Sequence, residues 1–237
     1  MQNSKLILLP GLGADQELFK KQKLALKDRL FIPEYPPAFP NESIEEYADR
    51  WVERLIAEES NSEKHEVWIG GVSFGGMMAL ELARQFQKKR FQLGGIFLIS
   101  APRTSAQITK QFKAQVATLK VLPEVTVRMG MKTLGVSYFA RSELLSEDDT
   151  RSLVAMFSRM NYEFFNWAAQ AAAKWSFTDS KLSGLAPIYQ IHGRKDSVIP
   201  RPSEKFSDVT ILTEAAHLIP LTYADELNAW INRYIQC

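Results

Sequence analysis

The pentapeptide Gly71-Val72-Ser73-Phe74-Gly75 is the part of the sequence that most directly indicates chemistry. It follows an apolar run typical of a strand, residues 66–70, and precedes the helix-forming run 77–83. A turn this tight between strand and helix strains its central residue, and side chains on either side would collide with neighbouring backbone. The serine hydroxyl is then exposed at the carboxyl edge of the sheet, above a helix N-terminus that stabilises negative charge. We therefore predict that Ser73 is a nucleophile.

A base must take the proton of this serine, because a hydroxyl is a weak nucleophile near neutral pH, and histidine is best tuned for that task. The chain has three histidines. His65 lies in a polar loop before the serine strand, at the opposite edge of the sheet, and His192 ends the fifth predicted strand, where a local hydrogen bond accounts for it. His217 lies in the loop between the last strand and the last helix, from which its ring can reach Ser73. The sequence predicts His217 as the general base.

A carboxylate must orient this imidazole and stabilise the imidazolium that forms during proton transfer. Asp196 follows the fifth predicted strand and therefore lies at the same sheet edge. The order Ser, Asp, His along the chain is the one expected when the serine stands between a strand and a helix. Asp208 and Glu214 are rivals, but Asp208 lies at the wrong end of its strand. Residues 100–103 contain no carboxylate, which excludes an acid after the fourth strand. We predict Asp196 as the orienting residue.

Two backbone N–H groups are expected to bind the oxyanion of the tetrahedral state. One is that of Phe74, the residue after the nucleophile. The other is that of Leu12, in the glycine-containing loop 10–15 that follows the first strand. This loop does not match a phosphate-binding Gly-x-Gly-x-x-Gly motif, since Gln16 stands at the last position.

Six short apolar runs alternate mostly with segments of helical periodicity, which is typical of a parallel sheet covered by helices on both faces. The predicted strands are Lys5–Leu9, Arg29–Ile32, Val67–Gly70, Gly95–Ile99, Pro187–Ile191 and Val209–Leu212. The predicted helices include residues 43–59, which open with a Ser-x-x-Glu capping pair, Phe74–Phe86 and Thr222–Ile235.

The interval from Arg103 to Lys181 interrupts this alternation and is largely helical in pattern. Only Val125–Val127 has the composition of a strand, and Ser146 with the acidic residues after it predicts a helix start. We predict a helical cap over 103–181, inserted into a core formed by 1–102 and 182–237. Several apolar side chains of the cap are expected to line a substrate pocket over Ser73: Met156, Phe157, Met160, Phe164 and Trp167.

Composition excludes several classes of protein. The 237 residues fit one domain with an insertion, and a net charge of +2 without a long basic run argues against nucleic-acid binding. The only cysteine, Cys237, cannot form an intrachain disulfide, which fits a reducing compartment. The apolar run Leu6–Leu9 is too short for a signal peptide or a membrane span, so a cytoplasmic location is expected.

These motifs together resemble the α/β-hydrolase superfamily over almost the whole chain. The residues that carry the resemblance lie in four segments: 8–13, 71–76, 192–196 and 216–217. It implies a mostly parallel sheet of about six strands flanked by helices, a helical cap, no metal and no organic cofactor. Pro10-Gly11 stands where the family commonly has His-Gly, a change that the backbone donor tolerates, and the chain begins at the strand before the oxyanion loop.

The predicted activity is hydrolysis of a small carboxylic ester or thioester with an apolar moiety, through an acyl-enzyme on Ser73. Two other readings remain open: C–C cleavage or elimination by the same triad, and a protein of this fold that binds a ligand or partner without turnover. Peptidase activity has no sequence feature in its favour. Oligomeric state is not predicted.

Overall fold

The computed structural model describes residues 4–60, 66–202 and 208–235, and the side chains of 58–60 are not described. His65 and Cys237 lie outside the described residues. The described part has six strands in one sheet of order β2-β1-β3-β4-β5-β6, and every neighbouring pair is parallel. The strands are β1 (Ser4–Leu9), β2 (Leu30–Phe31), β3 (Glu66–Val72), β4 (Gly95–Ile99), β5 (Ile188–Gly193) and β6 (Val209–Leu212). The predicted parallel sheet of six strands is confirmed.

Successive side chains of the central strands enter two different cores, because a strand directs neighbouring residues to opposite faces. Ile7 of β1 and Leu98 of β4 pack in the core on one face, while Leu8 and Phe97 pack in the core on the other. All four are fully buried, and burial of each leucine or isoleucine contributes about 2 kcal/mol of transfer free energy. This two-sided burial explains why the strands lack polar alternation.

Helices cover both faces of the sheet. The core helices are α1 (Lys20–Leu26), α2 (Ile44–Ser60), α3 (Phe74–Lys88), α9 (Ile219–Thr222) and α10 (Ala224–Ile235). Helices α2 and α3 pack on one face, and α1 and α10 pack on the other. The capping pair predicted at the start of α2 is present, since Glu46 N donates to Ser43 Oγ at 3.2 Å and Glu46 accepts from Ser43 N at 2.8 Å.

A helical insertion lies between β4 and β5. It contains α4 (Lys110–Leu119), α5 (Glu124–Gly130), α6 (Val136–Ser142), α7 (Glu147–Arg159) and α8 (Tyr162–Lys174), and a wider helical turn over Met131–Gly135 joins α5 to α6. Ser146 caps α7, as predicted, with its hydroxyl accepting from Asp149 N at 3.1 Å. Below, "the helical insertion" means residues 103–181.

One predicted strand is a helix in the structure, and another is shorter than predicted. Val125–Val127 is part of α5, where Pro123 precedes the first turn and Glu124 pairs with Arg128 one turn later, so local helix signals override β-branched composition. The second strand spans only Leu30–Phe31, since it pairs with β1 alone and forms the edge of the sheet.

None of the helices in the described ranges has the length and apolar character that crossing a bilayer would require.

Candidate active site

Ser73 lies at the junction between β3 and α3 with φ 54° and ψ −116°, a conformation that an L-residue adopts only under strain. Its backbone N–H donates to Ile99 O at 3.1 Å, which fixes the turn to the neighbouring strand. The flanking glycines are required by close packing: a Cβ on Gly71 would overlap the backbone of Gly75, and one on Gly75 would overlap the carbonyl of Leu9. The strain at Ser73 is thus held by backbone contacts on both sides.

The register of the sheet brings the loop after β1 beside this serine. Leu9 pairs with Gly71, so residues 10–15 leave the sheet next to Ser73, at the point where the strand order reverses. Ala14 N donates to Gly11 O at 3.2 Å and closes a turn whose first central residue is Leu12. Leu12 and Phe74 line the same cavity as Ser73, and the N–H of Phe74 belongs to the helix turn that lacks intrahelical acceptors.

Asp196 and His217 are joined by a hydrogen bond of 2.9 Å between Oδ2 and Nδ1. The loops after β5 and β6 bring them together, although 21 residues separate them in the chain. Oδ1 of Asp196 accepts from the backbone N–H groups of Val198 and Ile199 at 2.8 and 2.9 Å, so the carboxylate cannot rotate away. With Nδ1–H donating to Asp196, the lone pair of the ring is on Nε2, as a general base requires.

The pKa values of this pair move in opposite directions. Burial alone lowers the pKa of His217, but the charge and hydrogen bond of Asp196, with a smaller contribution from Glu143, outweigh it and leave the pKa raised. Burial alone raises the pKa of Asp196, but His217 and the N–H of Ile199 outweigh it and leave the pKa lowered. The pair therefore favours a carboxylate beside a ring that takes up a proton readily.

Ser73 and His217 line one cavity, yet within the described ranges the Ser73 hydroxyl makes no hydrogen bond to the imidazole. Such contacts are commonly long without substrate and tighten in the bound complex. The structure thus places the hydroxyl and the ring on a shared cavity wall without a direct bond between them.

The rival residues have other partners. His192 Nε2 lies 3.1 Å from Ile199 O, which is the local hydrogen bond predicted for it, and burial lowers its pKa. Asp208 accepts from Arg103 at 2.6 and 2.9 Å near the amino end of β6, away from Ser73. Glu214 pairs with Lys195 on the surface. None of the three contacts the His217 ring within the part of the chain that is described.

Glu143 is a site residue that the sequence did not indicate. It lies just after α6 in the helical insertion, and its carboxylate accepts from His217 N at 2.7 Å and from Leu218 N at 3.0 Å. The side chain is buried, and burial raises its pKa while the two N–H donors oppose that rise. Through Glu143 the insertion is hydrogen-bonded to the backbone of the loop that contains His217. The sequence does not predict this contact, because 74 positions separate Glu143 from His217.

A cavity of about 250 Å³ lies over Ser73. The core contributes Ser73, His217 and the oxyanion loop, and the helical insertion closes the opposite side. Its apolar side chains from the insertion are Ile108, Phe112, Met131, Phe139, Leu153, Met156, Phe157 and Phe165, while Gln107, Thr109 and Gln115 add polar groups.

The five side chains predicted for the pocket separate into two groups. Met156 and Phe157 line the cavity over Ser73. Met160 packs with Val127 and Phe165 in a small cluster of its own, and Phe164 stacks on Tyr35 at 4.7 Å between ring centroids. Trp167 faces the loop before α2, where its Nε1 donates to Glu42 O at 2.8 Å. The cavity over Ser73 is therefore not lined by Met160, Phe164 or Trp167.

Among the described residues, no group of three or more His, Cys, Asp or Glu side chains is arranged to hold a metal ion.

A profile of the alpha/beta hydrolase family matches residues 6–230 of the sequence. The chain belongs to the α/β-hydrolase family. As an α/β-hydrolase it aligns over its whole length with solved structures of the same fold. The structure of MenH from S. aureus covers 100% of this chain and 94% of its own at 14% identity, with a TM-score of 0.76.

Two further structures show the range of this fold. A thermophilic esterase from Thermogutta terrifontis matches at 17% identity and a TM-score of 0.71, covering 98% of the present chain and 89% of the esterase. The type II thioesterase BorB from the borrelidin biosynthetic cluster matches at 18% identity and a TM-score of 0.65, covering 99% and 96%. No curated protein matches the sequence of this α/β-hydrolase. At such identities the likeness establishes the fold.

Proposed function

We propose that this α/β-hydrolase cleaves a small carboxylic ester or thioester with an apolar moiety, using Ser73 as nucleophile, His217 as base and Asp196 as the orienting acid. The observation that carries the proposal is the 2.9 Å bond between Asp196 and the His217 ring beside a cavity that also contains the strained Ser73. Solved structures of the same fold include an esterase and a thioesterase, which is consistent with the proposal.

The reaction takes two half-steps. Nε2 of His217 removes the proton of Ser73 as Oγ attacks the substrate carbonyl, and the resulting oxyanion is bound by the N–H groups of Leu12 and Phe74. The tetrahedral intermediate then expels the alcohol or thiol, which receives the proton from His217, and leaves an acyl group on Ser73. Water attacks this acyl group with His217 again as base, which releases the acid and restores the serine. Asp196 stays ionised throughout and stabilises the imidazolium.

The cavity supports a substrate with a compact apolar part. Its volume of about 250 Å³ lies below the usual range for drug-sized ligands, and its walls are mostly aliphatic and aromatic. Thr109 and Gln115 lie on the insertion, where their polar side chains can bind a polar end of the substrate, whereas the Gln107 amide already pairs with Arg103 N and Pro200 O. Turnover should therefore depend on chain length, and a charge on the apolar part of the substrate should reduce it.

We also propose that residues 103–181 act as a cap on the core formed by 1–102 and 182–237, in a single domain. Three contacts tie insertion to core near the site: Glu143 with the His217 backbone, Arg159 with Asp15 at 2.9 Å, and Lys20 with Ser152 at 2.8 Å. The Arg159 contact bears on the loop that contains Leu12, so the cap contacts the loops of both the base and the oxyanion donor.

The function is tested with p-nitrophenyl esters and acyl thioesters of increasing chain length. We expect turnover of the short and medium acyl chains, a decline once the chain exceeds the cavity, and no turnover by Ser73→Ala. Failure of wild-type protein on every ester and thioester would reject hydrolysis of these bonds, and turnover by Ser73→Ala would reject the nucleophile.

A further inference from the structure

The outer arm of the helical insertion, residues 110–142, has few fully buried side chains. It comprises α4, α5 and α6 with their connections, and only Val116, Val127 and Val136 in it are buried. Phe112, Gln115 and Met131 point into the catalytic cavity. The arm thus forms a thin wall, with the substrate cavity on one side and the exterior on the other.

The exterior of this arm carries exposed aliphatic side chains. Val121 is 79% exposed at the turn between α4 and α5, and Leu122 beside it is 36% exposed. Val125 and Met129 follow at a spacing of one helical turn, with 70% and 62% exposed, and Leu134 is 76% exposed. Leaving so many large apolar groups of one segment in water marks a binding surface.

The same arm is strongly basic. It has six basic residues and one acidic residue, whereas the whole chain has 29 and 27, so the remainder of the chain is net acidic. The basic residues are Lys110, Lys113, Lys120, Arg128, Lys132 and Arg141. The single acid, Glu124, is paired with Arg128 at 2.6 Å. The occupant of this surface should therefore be anionic.

The arrangement of basic and aliphatic side chains on the arm favours one kind of binding partner over another. A second copy would bring two basic arms face to face, and like charges oppose that contact. The exposed aliphatic groups lie along α5 and in the turns before and after it, among the lysines of the arm, which suits entry between lipid headgroups. Lysines near such a surface gain attraction from anionic lipids.

We propose that the outer arm 110–142 docks on an anionic lipid surface, with Val121, Leu122 and Val125 entering the headgroup region and the lysines contacting lipid phosphates. Docking places the wall that contains Phe112 and Met131 against the lipid.

Binding is measured by co-sedimentation with vesicles of phosphatidylcholine alone and of phosphatidylcholine with 30% phosphatidylglycerol. We expect binding to the anionic vesicles only, weakened by added salt. The triple variant Lys113→Glu, Lys120→Glu, Lys132→Glu should bind on the order of 100-fold more weakly. Its control reverses three exposed lysines elsewhere, Lys23, Lys88 and Lys174, and should bind as wild type does.

The aliphatic contribution is tested with Val121→Asp, which should bind at least about 10-fold more weakly, against Leu24→Asp, an equally exposed position outside the arm that should bind normally. Equal binding to both vesicle types, no binding at all, or equal loss in the control variants would overturn the proposal. So would a dimer in light scattering that Val121→Asp abolishes, since the arm would then be a contact between copies.

The docking proposal and the proposed function can be refuted independently of each other. Ser73→Ala should bind vesicles as wild type does while losing esterase activity. If that variant keeps its activity, the proposed function is wrong and docking stands; if wild type hydrolyses esters but ignores anionic vesicles, docking is wrong and the function stands.

Discussion

The carboxyl edge of the sheet and the outer arm of the insertion have opposite kinds of packing. At the sheet edge the backbone of Gly75 lies so close to Leu9 that no Cβ fits, and the Asp196 side chain has no exposed surface. In the arm 110–142 three side chains are buried and large aliphatic groups face outward. The groups proposed for proton transfer are thus held by close backbone packing, whereas the arm, which supplies part of the cavity wall, has few buried side chains.

Glu143 connects the two regions. It follows the exposed arm, yet its carboxylate is buried against the backbone of His217 and Leu218. This difference in packing predicts that substitutions at the sheet edge greatly reduce activity or stability and that substitutions in the outer arm have small effects. For Glu143 we expect an intermediate loss.

The largest effect is expected for His217→Ala. Without the base, Ser73 keeps its proton, and kcat for the best ester should fall by about 10⁴-fold or more. Steady-state kinetics measure the fall, and circular dichroism with a melting curve checks that the variant is folded. A folded variant with near-wild-type kcat would show that the sheet edge does not hold the catalytic base.

A slightly smaller loss is expected for Asp196→Asn. The amide no longer holds the ring with its lone pair on Nε2, so kcat should fall by about 10³- to 10⁴-fold. Glu214→Gln is the matched control, because Glu214 is an exposed acid near this loop whose carboxylate pairs with Lys195. Comparable losses in the two variants would contradict the assignment of Asp196.

The packing contrast itself is tested by Leu98→Ala in β4 and Val121→Ala in the arm. Leu98 is fully buried, so its truncation should lower the free energy of unfolding by about 2–5 kcal/mol. Val121 is exposed, and its truncation should change that free energy by less than about 0.5 kcal/mol. Urea denaturation measures both, and similar losses would mean that the arm is packed as tightly as the core.

An intermediate catalytic effect, smaller than those of His217 and Asp196, is expected for Glu143→Gln. An amide can accept from only one of the two N–H groups, so the His217 loop should loosen and kcat should fall about 10-fold with little change in KM. Glu147→Gln, an exposed position at the start of α7, serves as control. A purely structural role would lower the melting temperature without this kcat effect.

The pH profile of the same variant separates positioning from folding. Activity needs the neutral ring, so kcat/KM should fall as the pH drops through the pKa of His217, which lies above its ordinary value. The charge of Glu143 contributes to that rise, so Glu143→Gln should move the midpoint to lower pH. An unchanged or higher midpoint would contradict the electrostatic contribution.

Much of the core could be predicted from sequence because its signals are local. Apolar runs mark β1, β4 and β6 to within one residue at each end and β3 to within two, and the glycines around Ser73 mark a turn that only small residues permit. Once a parallel sheet is assumed, Asp196 and His217 must leave it at the same edge, and the structure joins them by a hydrogen bond.

The insertion was less predictable because its contacts depend on how helices cross. The apolar run of α7 and α8 identifies helices but not which face meets the cavity, so Met156 lines it while Phe164 and Trp167 turn toward Tyr35 and Glu42. Glu143 leaves no local signal, since its partners lie 74 and 75 residues away. Tertiary packing decides both outcomes.

Fluorophosphonate labelling, followed by intact-mass and peptide mass spectrometry, tests most directly whether His217 activates Ser73. We predict a single adduct on the peptide that contains Ser73, no adduct in Ser73→Ala and labelling at least about 10³-fold slower in His217→Ala. Wild-type protein that stays unlabelled, or an adduct that forms equally fast in His217→Ala, would contradict the account.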